Sequence, residues 1–454
     1  MEEKAQWERD WESLGVVTYK GYDVKHSYLV YFYLKGRQNR GKLRETLSAL
    51  RTGLSVIKSY CVSLMTPKKS SWKSLNLELN GRILESMNAY AINFLPSDLR
   101  HFLHISSLAE KDDSSVVLTT KKKVYDYFAQ REKPVIFFAR LGKQIKYDSN
   151  ARRLGFRERA MYSRSAGLID NLQSVESSLG NPKSIIVLQD FHTEDSVFAT
   201  FYKDKVPTVT LQHGMVNPGG LWQFVLSDYI ICWGRKSAEN LHKSGIPNKK
   251  IIPLGTAKYD QYLSSRIERD KQKRNFIIQI GIQQGSVLGE EYERKTYEFF
   301  REFIYSHPEY DYVLKFHPAK RKSEIKKYKR LPNVRNVRIS TSNNAYELIS
   351  ESDVVLTYRT TLATDAMILD RPVIEYQLLT GDQTEGPFGD YRDGVIRISD
   401  NTSLERELEH LSSDKHYIDT IISKQREFLR EEMLPPPNAK RIIDFLNSLS
   451  LRKE

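Results

Sequence analysis

Short apolar runs recur along the chain from residue 184 onward, each followed by a polar turn and a stretch of helical period. SIIVLQD (184–190), VPTVTLQHG (206–214), SDYIICWG (227–234) and KKIIPLG (249–255) read as buried strands. A helical stretch separates the first two, and KSAENLHKSGI (236–246) reads as a helix stopped at Gly245. A charged segment, AKYDQYLSSRIERDKQKR (257–274), then breaks the rhythm and reads as a connection between domains. The rhythm restarts with NFIIQIG (275–281) and a helix in YERKTYEFFREFIYSH (292–307). Further strands follow in YDYVLKFHP (310–318), NVRIS (336–340), DVVLT (353–357) and RPVIEY (371–376), with helices over AYELISES (345–352) and TTLATDAMIL (360–369). From SLERELEHL (403–411) to RIIDFLNSL (441–449) the pattern is helical.

Apolar strands alternating with helices call for parallel sheets covered on both faces. The expected class is therefore α/β, with two doubly wound Rossmann-like domains facing a cleft. The first, 1–256, would bind an acceptor; the second, 275–454, would bind a nucleotide donor and carry the C-terminal helices; 257–274 would join them. Before residue 150 tyrosine-rich apolar segments mix with basic patches, and GKLRETLSALRTGLSVIKSYC (41–61) has helical spacing. Ligands of such sheets bind outside the carboxyl ends of the strands, and that rule selects the candidate residues.

Composition narrows the class. At 40% hydrophobic and 28% charged residues, the chain suits a soluble globular protein. The charged N-terminus is not a signal peptide, and YLVYFYL (28–34) is far too short to span a bilayer. Two cysteines, Cys61 and Cys232, sit in apolar contexts and read as buried thiols in a reducing compartment. The expected location is cytoplasmic, or peripheral on the inner face of the cell membrane. A net charge of +13 calls for a negatively charged partner: a phosphorylated substrate, an anionic membrane surface or nucleic acid. No zinc-finger spacing, basic zipper or RNA-recognition aromatic motif is present, so no specific nucleic acid is expected.

His213 ends the strand TVTLQ, where an imidazole can act as a base or bond an anion. Gly214 lets the chain turn, and Gly219-Gly220 admit close approach of a ligand. The simpler role is to cap the strand on local backbone. Asp190, His192, Glu194 and Asp195 end the preceding strand and offer a general base, or merely a polar loop and helix cap. His317, beside Lys320, Arg321 and Lys322, suits a diphosphate leaving group. Thr360-Thr361 open a helix, where free amides form a phosphate seat. Asp365, one turn in, and Glu375, on the next strand, are placed for a sugar hydroxyl. Gly281, Gln283, Gly285 and Gly289 lie in a loop whose spacing is not the dinucleotide fingerprint. Neither a D-x-D pair nor a P-loop is present, so leaving-group charge is expected to fall to histidine, cations and helix amides rather than a metal.

LQHG after a strand, LKFHP in the second half, and ESDVVLTYRTTLATDAMILDRPVIEY together resemble bacterial surface-polysaccharide glycosyltransferases of the GT-B fold. The nearest group is the CDP-glycerol glycerophosphotransferase-like and capsule-polysaccharide transferases, over about 185–380. The resemblance implies a catalytic or acceptor-side histidine at His213, a donor-phosphate contact at His317, and nucleotide-phosphate binding at Thr360-Thr361, where the family usually has serines. It implies no separate cofactor, a nucleotide-sugar donor with cytidine ahead of uridine, and a glycan or lipid-linked acceptor. IIPLGTAKYDQY (251–262) also resembles the non-hydrolysing UDP-N-acetylglucosamine 2-epimerases, although their glycine-rich turn with paired glutamates is missing. The expectation is thus a metal-independent glycosyltransferase building a surface polysaccharide, with the epimerase, or a non-catalytic protein binding an anionic glycan, as alternatives.

Overall fold

The computed structural model describes residues 6–14, 16–28, 72–75, 83–96, 98–138, 154, 156–190, 193–218, 220–264, 276–282, 290–316, 322–329, 336–340, 345–358, 360–378 and 394–449. Two large sheets organise them. The first has eight strands in the order Ile251–Pro253, Tyr229–Cys232, Thr208–Leu211, Ser184–Val187, Asn88–Ala91, Ser115–Thr119, Val135–Phe138 and Trp72–Leu75. Its pairs are parallel except at the edge, where Trp72–Leu75 runs antiparallel to Val135–Phe138. The second has six parallel strands in the order Val337–Ser340, Asp311–Phe316, Ile277–Ile282, Val354–Thr357, Val373–Tyr376 and Ile396–Ile398.

Alternation along the strands builds a core on each face of the first sheet. Ala89, Ala91, Ile185 and Val187 pack with the helices Phe156–Leu179 and Thr193–Tyr202. Tyr90, Ile186, Val209 and Ile231 face the opposite way, against Leu99–Lys111 and Asn438–Ser448. In the second sheet Ile278, Ile280, Leu314 and Leu356 share one cluster with the helix Glu290–Ser306. Val355 and Val373 enter another that also contains Trp233 of the first domain and Tyr259 of the connection, so this apolar core is common to both domains.

The chain returns to the first domain at its end. Asp260, in the segment that leaves the first sheet, accepts from the backbone N–H of Asn438 at 2.9 Å and of Ala439 at 2.8 Å. It thereby satisfies free amides at the start of the last helix. Gly255 sits beneath this helix start with φ +89°, and any Cβ there would lie 2.0 Å from Asn438 Oδ1.

The α/β architecture with two parallel sheets is the one the pattern calls for. Residues 257–264 of the connection form a short turn and helix, while 265–274 and the helical pattern at 41–61 lie outside the described residues. Cys232 is buried, and burial pushes its thiol up to about 12. Among the described residues no helix is long and apolar enough to cross a membrane.

Candidate functional site

The strand Thr208–Leu211 delivers its last side chains to the side where the two domains meet. Gln212 fixes the turn. Its Nε2 donates to Gly214 O at 2.8 Å and to Ser237 Oγ at 2.9 Å. Its Oε1 accepts from Trp233 N at 2.8 Å, and its carbonyl from Trp233 Nε1 at 2.9 Å. A side chain that saturates its bonds this way holds the next residue in one pose. That residue is His213. It is half-buried, stacked on Trp222 with ring centroids 5.5 Å apart, and 5.6 Å from the ring of His101.

The second domain comes up against this turn. A Cβ at Gly214 would lie 3.3 Å from Thr361 Cγ2. The His-Gly turn and the threonine pair, 147 positions apart in sequence (361 − 214), are therefore neighbours in space. Thr360 turns its hydroxyl inward, where Oγ1 accepts from Leu362 N at 3.3 Å. Thr361 stands at the cap of Leu362–Ile368 but its side chain makes no capping bond.

The other candidates divide by surroundings. Asp365 is buried and belongs to an interdomain knot. Its Oδ1 meets Lys258 Nζ at 3.1 Å, Tyr259 Oη at 2.8 Å and Tyr346 Oη at 3.0 Å. Glu375 is buried on its strand, 3.6 Å from Arg397 Nε. Gly281 is a packing position: a Cβ would fall 2.6 Å from Leu362 Cδ2, and its carbonyl accepts from Tyr376 Oη at 3.0 Å. His192, Gln283, Gly285, His317 and Lys320 lie outside the described residues, as does the side chain of Lys322.

The acids that follow the strand Ser184–Val187 are also engaged. Asp190 is fully buried, and its Oδ2 accepts from Leu226 N at 2.7 Å and Ser227 N at 2.8 Å, pinning the loop before the strand Tyr229–Cys232. Burial raises its carboxyl above the ordinary range, against the pull of those bonds. Asp195 accepts from Asn93 Nδ2 at 2.6 Å, and burial lifts it to about 7. For Glu194 burial acts upward, yet Lys121, 3.3 Å away, and Arg164, 3.7 Å away, hold the carboxyl below its usual value.

Sequence reasoning overlooked the helix Leu99–Lys111, which carries Asp98, His101 and His104 at intervals of three, on one helical face. His104 is buried, stacked on Trp233 at 5.6 Å, and its Nδ1 meets Thr256 Oγ1 at 2.9 Å. Burial, then Lys258 and the two nearby histidines, push it well below the ordinary imidazole range, so it is neutral and structural. His101 is partly open: its Nδ1 meets Asp98 Oδ2 at 3.0 Å, and Phe94 stacks on its ring at 4.9 Å. The D-x-x-H-x-x-H spacing was the available signal. Among the described residues no three His, Cys, Asp or Glu side chains gather as a metal would need. A cavity of about 660 Å³ lies elsewhere, lined by Tyr262, Met367, Arg426 and Met433 on the side of the connection.

No family model matches the chain, and no curated protein matches it. Solved structures do match its fold. The UDP-N-acetylglucosamine 2-epimerase of Neisseria meningitidis, bound to UDP-GlcNAc, aligns with a TM-score of 0.53 at 15% identity over 80% of this chain and 100% of that one. That of Methanocaldococcus jannaschii aligns with a TM-score of 0.52 at 16% identity over 80% and 99%. A glycosyltransferase of Rickettsia africae aligns with a TM-score of 0.51 at 9% identity over 80% and 98%. The chain thus has the two-domain GT-B architecture that these epimerases and this glycosyltransferase share.

Proposed function

We propose that this protein is an enzyme acting on a nucleotide-activated sugar held across the cleft. The observation that carries this is the meeting of His213-Gly214 with Thr361, which brings an acid–base side chain of one domain to a helix start of the other. The first domain would hold and act on the sugar, and the second would hold the nucleotide phosphates near Thr360 and Thr361, with His317 and Lys320 as further phosphate contacts.

Two reactions fit this frame. The first is epimerisation of a UDP-sugar, supported by the neighbouring UDP-GlcNAc 2-epimerases and by a fold that pairs with them over most of both chains. Such a reaction needs a group to take a proton and another to return one, and His213 stands beside a second imidazole. The second is transfer of the sugar to a glycan or lipid-linked acceptor, supported by the LQHG, LKFHP and TYRTT motifs and the Rickettsia neighbour. There His213 would take the acceptor hydroxyl's proton and the phosphate-side groups would offset the leaving charge. A cytidine nucleotide donor and an anionic membrane surface belong to this second reading.

Product analysis separates them. The protein is incubated with UDP-GlcNAc, then with UDP-, CDP- and GDP-sugars, without acceptor, and the sugar is followed by proton NMR. Appearance of the C2 epimer supports the first reading. Release of free nucleotide only on addition of a glycan acceptor supports the second. No turnover with any donor, with or without acceptor, removes both.

A further inference from the structure

The three cleft-side histidines are not equivalent. His104 is closed in with its Nδ1 on Thr256, whereas His101 and His213 lie ring to ring at 5.6 Å where the domains meet. Asp98 is the unusual group. It occupies the N-cap position of a 13-residue helix, where an aspartate ordinarily accepts from the first free amides. Here it makes no side-chain cap bond, and its Oδ2 instead lies 3.0 Å from His101 Nδ1. A carboxylate that bonds Nδ1–H fixes the tautomer, leaves the lone pair on Nε2 and stabilises the imidazolium once that nitrogen is protonated. His101 keeps 16% and Asp98 30% of side-chain exposure, so the pair remains reachable by a ligand. Phe94, stacked at 4.9 Å, and His213, tilted at 5.6 Å, both pack against the ring.

We propose that Asp98 and His101 form a second proton-handling unit of the cleft, with His101 working on the sugar beside His213 and Asp98 positioning it. This rests on the nucleotide-sugar reading and adds the residues that divide the work. Among the described residues, charged and titratable groups facing His101 include Asp98 at its own helix start, His213 from the strand-end turn, and His104 one turn on. Two imidazoles this close repel when both are protonated, which disfavours a proton on both rings at once. In the step itself an O–H or C–H bond of the substrate breaks, its electron pair stays on the substrate, and an N–H bond forms on the neutral imidazole. The proton is given back before the next turnover.

The test uses the full chain labelled with ¹⁵N-histidine, with assignments from His101→Gln and His213→Gln. NMR reads the tautomer of His101 free and with a saturating UDP-sugar, and turnover is measured for wild type, Asp98→Asn and Asp98→Ala. The expected result is an Nδ1–H tautomer in the wild type that Asp98→Asn disturbs, ligand-induced shifts at both His101 and His213, and a kcat lowered about 10²-fold or more in both Asp98 variants at nearly constant KM. Ligand shifts at His213 alone, or Asp98 variants within threefold of wild-type kcat, overturn the proposal while the nucleotide-sugar reading stands. If no nucleotide sugar shifts any histidine or the unfolding midpoint, the nucleotide-sugar reading itself fails and this proposal with it.

Discussion

Two polar clusters sit where the domains meet, and they differ in what they leave open. Around Asp365 a lysine and two tyrosines converge on a single carboxylate oxygen, and Lys258 has no exposed side-chain surface. Around His213 the neighbours are rings, Trp222 and His101, and the imidazoles keep access to solvent. The first cluster has spent its bonding capacity within the protein and therefore joins the domains. The second keeps its rings partly open to solvent. Both lie close to the start of the helix Leu362–Ile368, so proximity to a cleft does not separate them; openness to solvent does.

The largest effect that would break this contrast lies in the closed cluster. Asp365→Ala leaves a buried lysine without its counter-charge, and loss of about 3–5 kcal/mol is expected in urea unfolding. A loss below 1 kcal/mol would make the cluster incidental.

Asp195 adds a pH-dependent cost in the first domain. Its folded value of about 7 lies above the unfolded one, so the folded state binds more protons between these values. Stability from this group is present at low pH and is lost as pH rises towards 7. Glu432, also lifted by burial to about 7, acts in the same direction. His26, lowered by burial to about 4, opposes them, since its contribution falls as pH drops from the ordinary imidazole range to 4. Asp195→Asn should flatten the decline of stability between pH 5 and 7, measured by urea unfolding across that range; an unchanged slope would contradict the burial argument.

In the open cluster His213→Ala should reduce turnover about 10²-fold while shifting stability little. Stability loss matching that of Asp365→Ala would assign His213 to the closed class instead.

The smallest effect probes the contact between the domains. Gly214→Ala puts a Cβ 3.3 Å from Thr361 Cγ2 and should weaken nucleotide binding a few-fold. Thr361→Ser removes the methyl that the new Cβ meets, so the double variant should recover affinity, with a coupling of about 0.5 kcal/mol or more in a double-mutant cycle. Strict additivity would mean that the two residues do not meet in the bound state.

The strands from 184 to 376 were legible because parallel strands buried on both faces are short, apolar and punctuated by glycine, proline and polar turns. The strands Asn88–Ala91 and Ser115–Thr119 were not, because Asn88, Tyr90, Ser115 and Thr119 interrupt their apolar run with polar groups that the fold satisfies at a distance. Asn88 reaches Asp112 and Tyr90 reaches the same carboxylate, contacts that no local window contains. The same limit applies to chemistry. His213 stood out by its place after a strand. His101 did not, because only the fold shows Asp98 turned from the helix amides to the ring. Asp365 looked ligand-facing by spacing alone, while the partners that occupy it come from Lys258 and Tyr259 in the connection and from Tyr346.

The most direct measurement is the thermal unfolding midpoint of the full chain with UDP, CDP, GDP and their sugar conjugates, repeated for His213→Ala and Gly214→Ala. A nucleotide at 100 times its dissociation constant adds about 2.7 kcal/mol, a readily visible rise. The expected result is a rise with at least one uridine or cytidine compound that shrinks in Gly214→Ala. No rise with any of them would contradict a nucleotide-sugar site between the two domains.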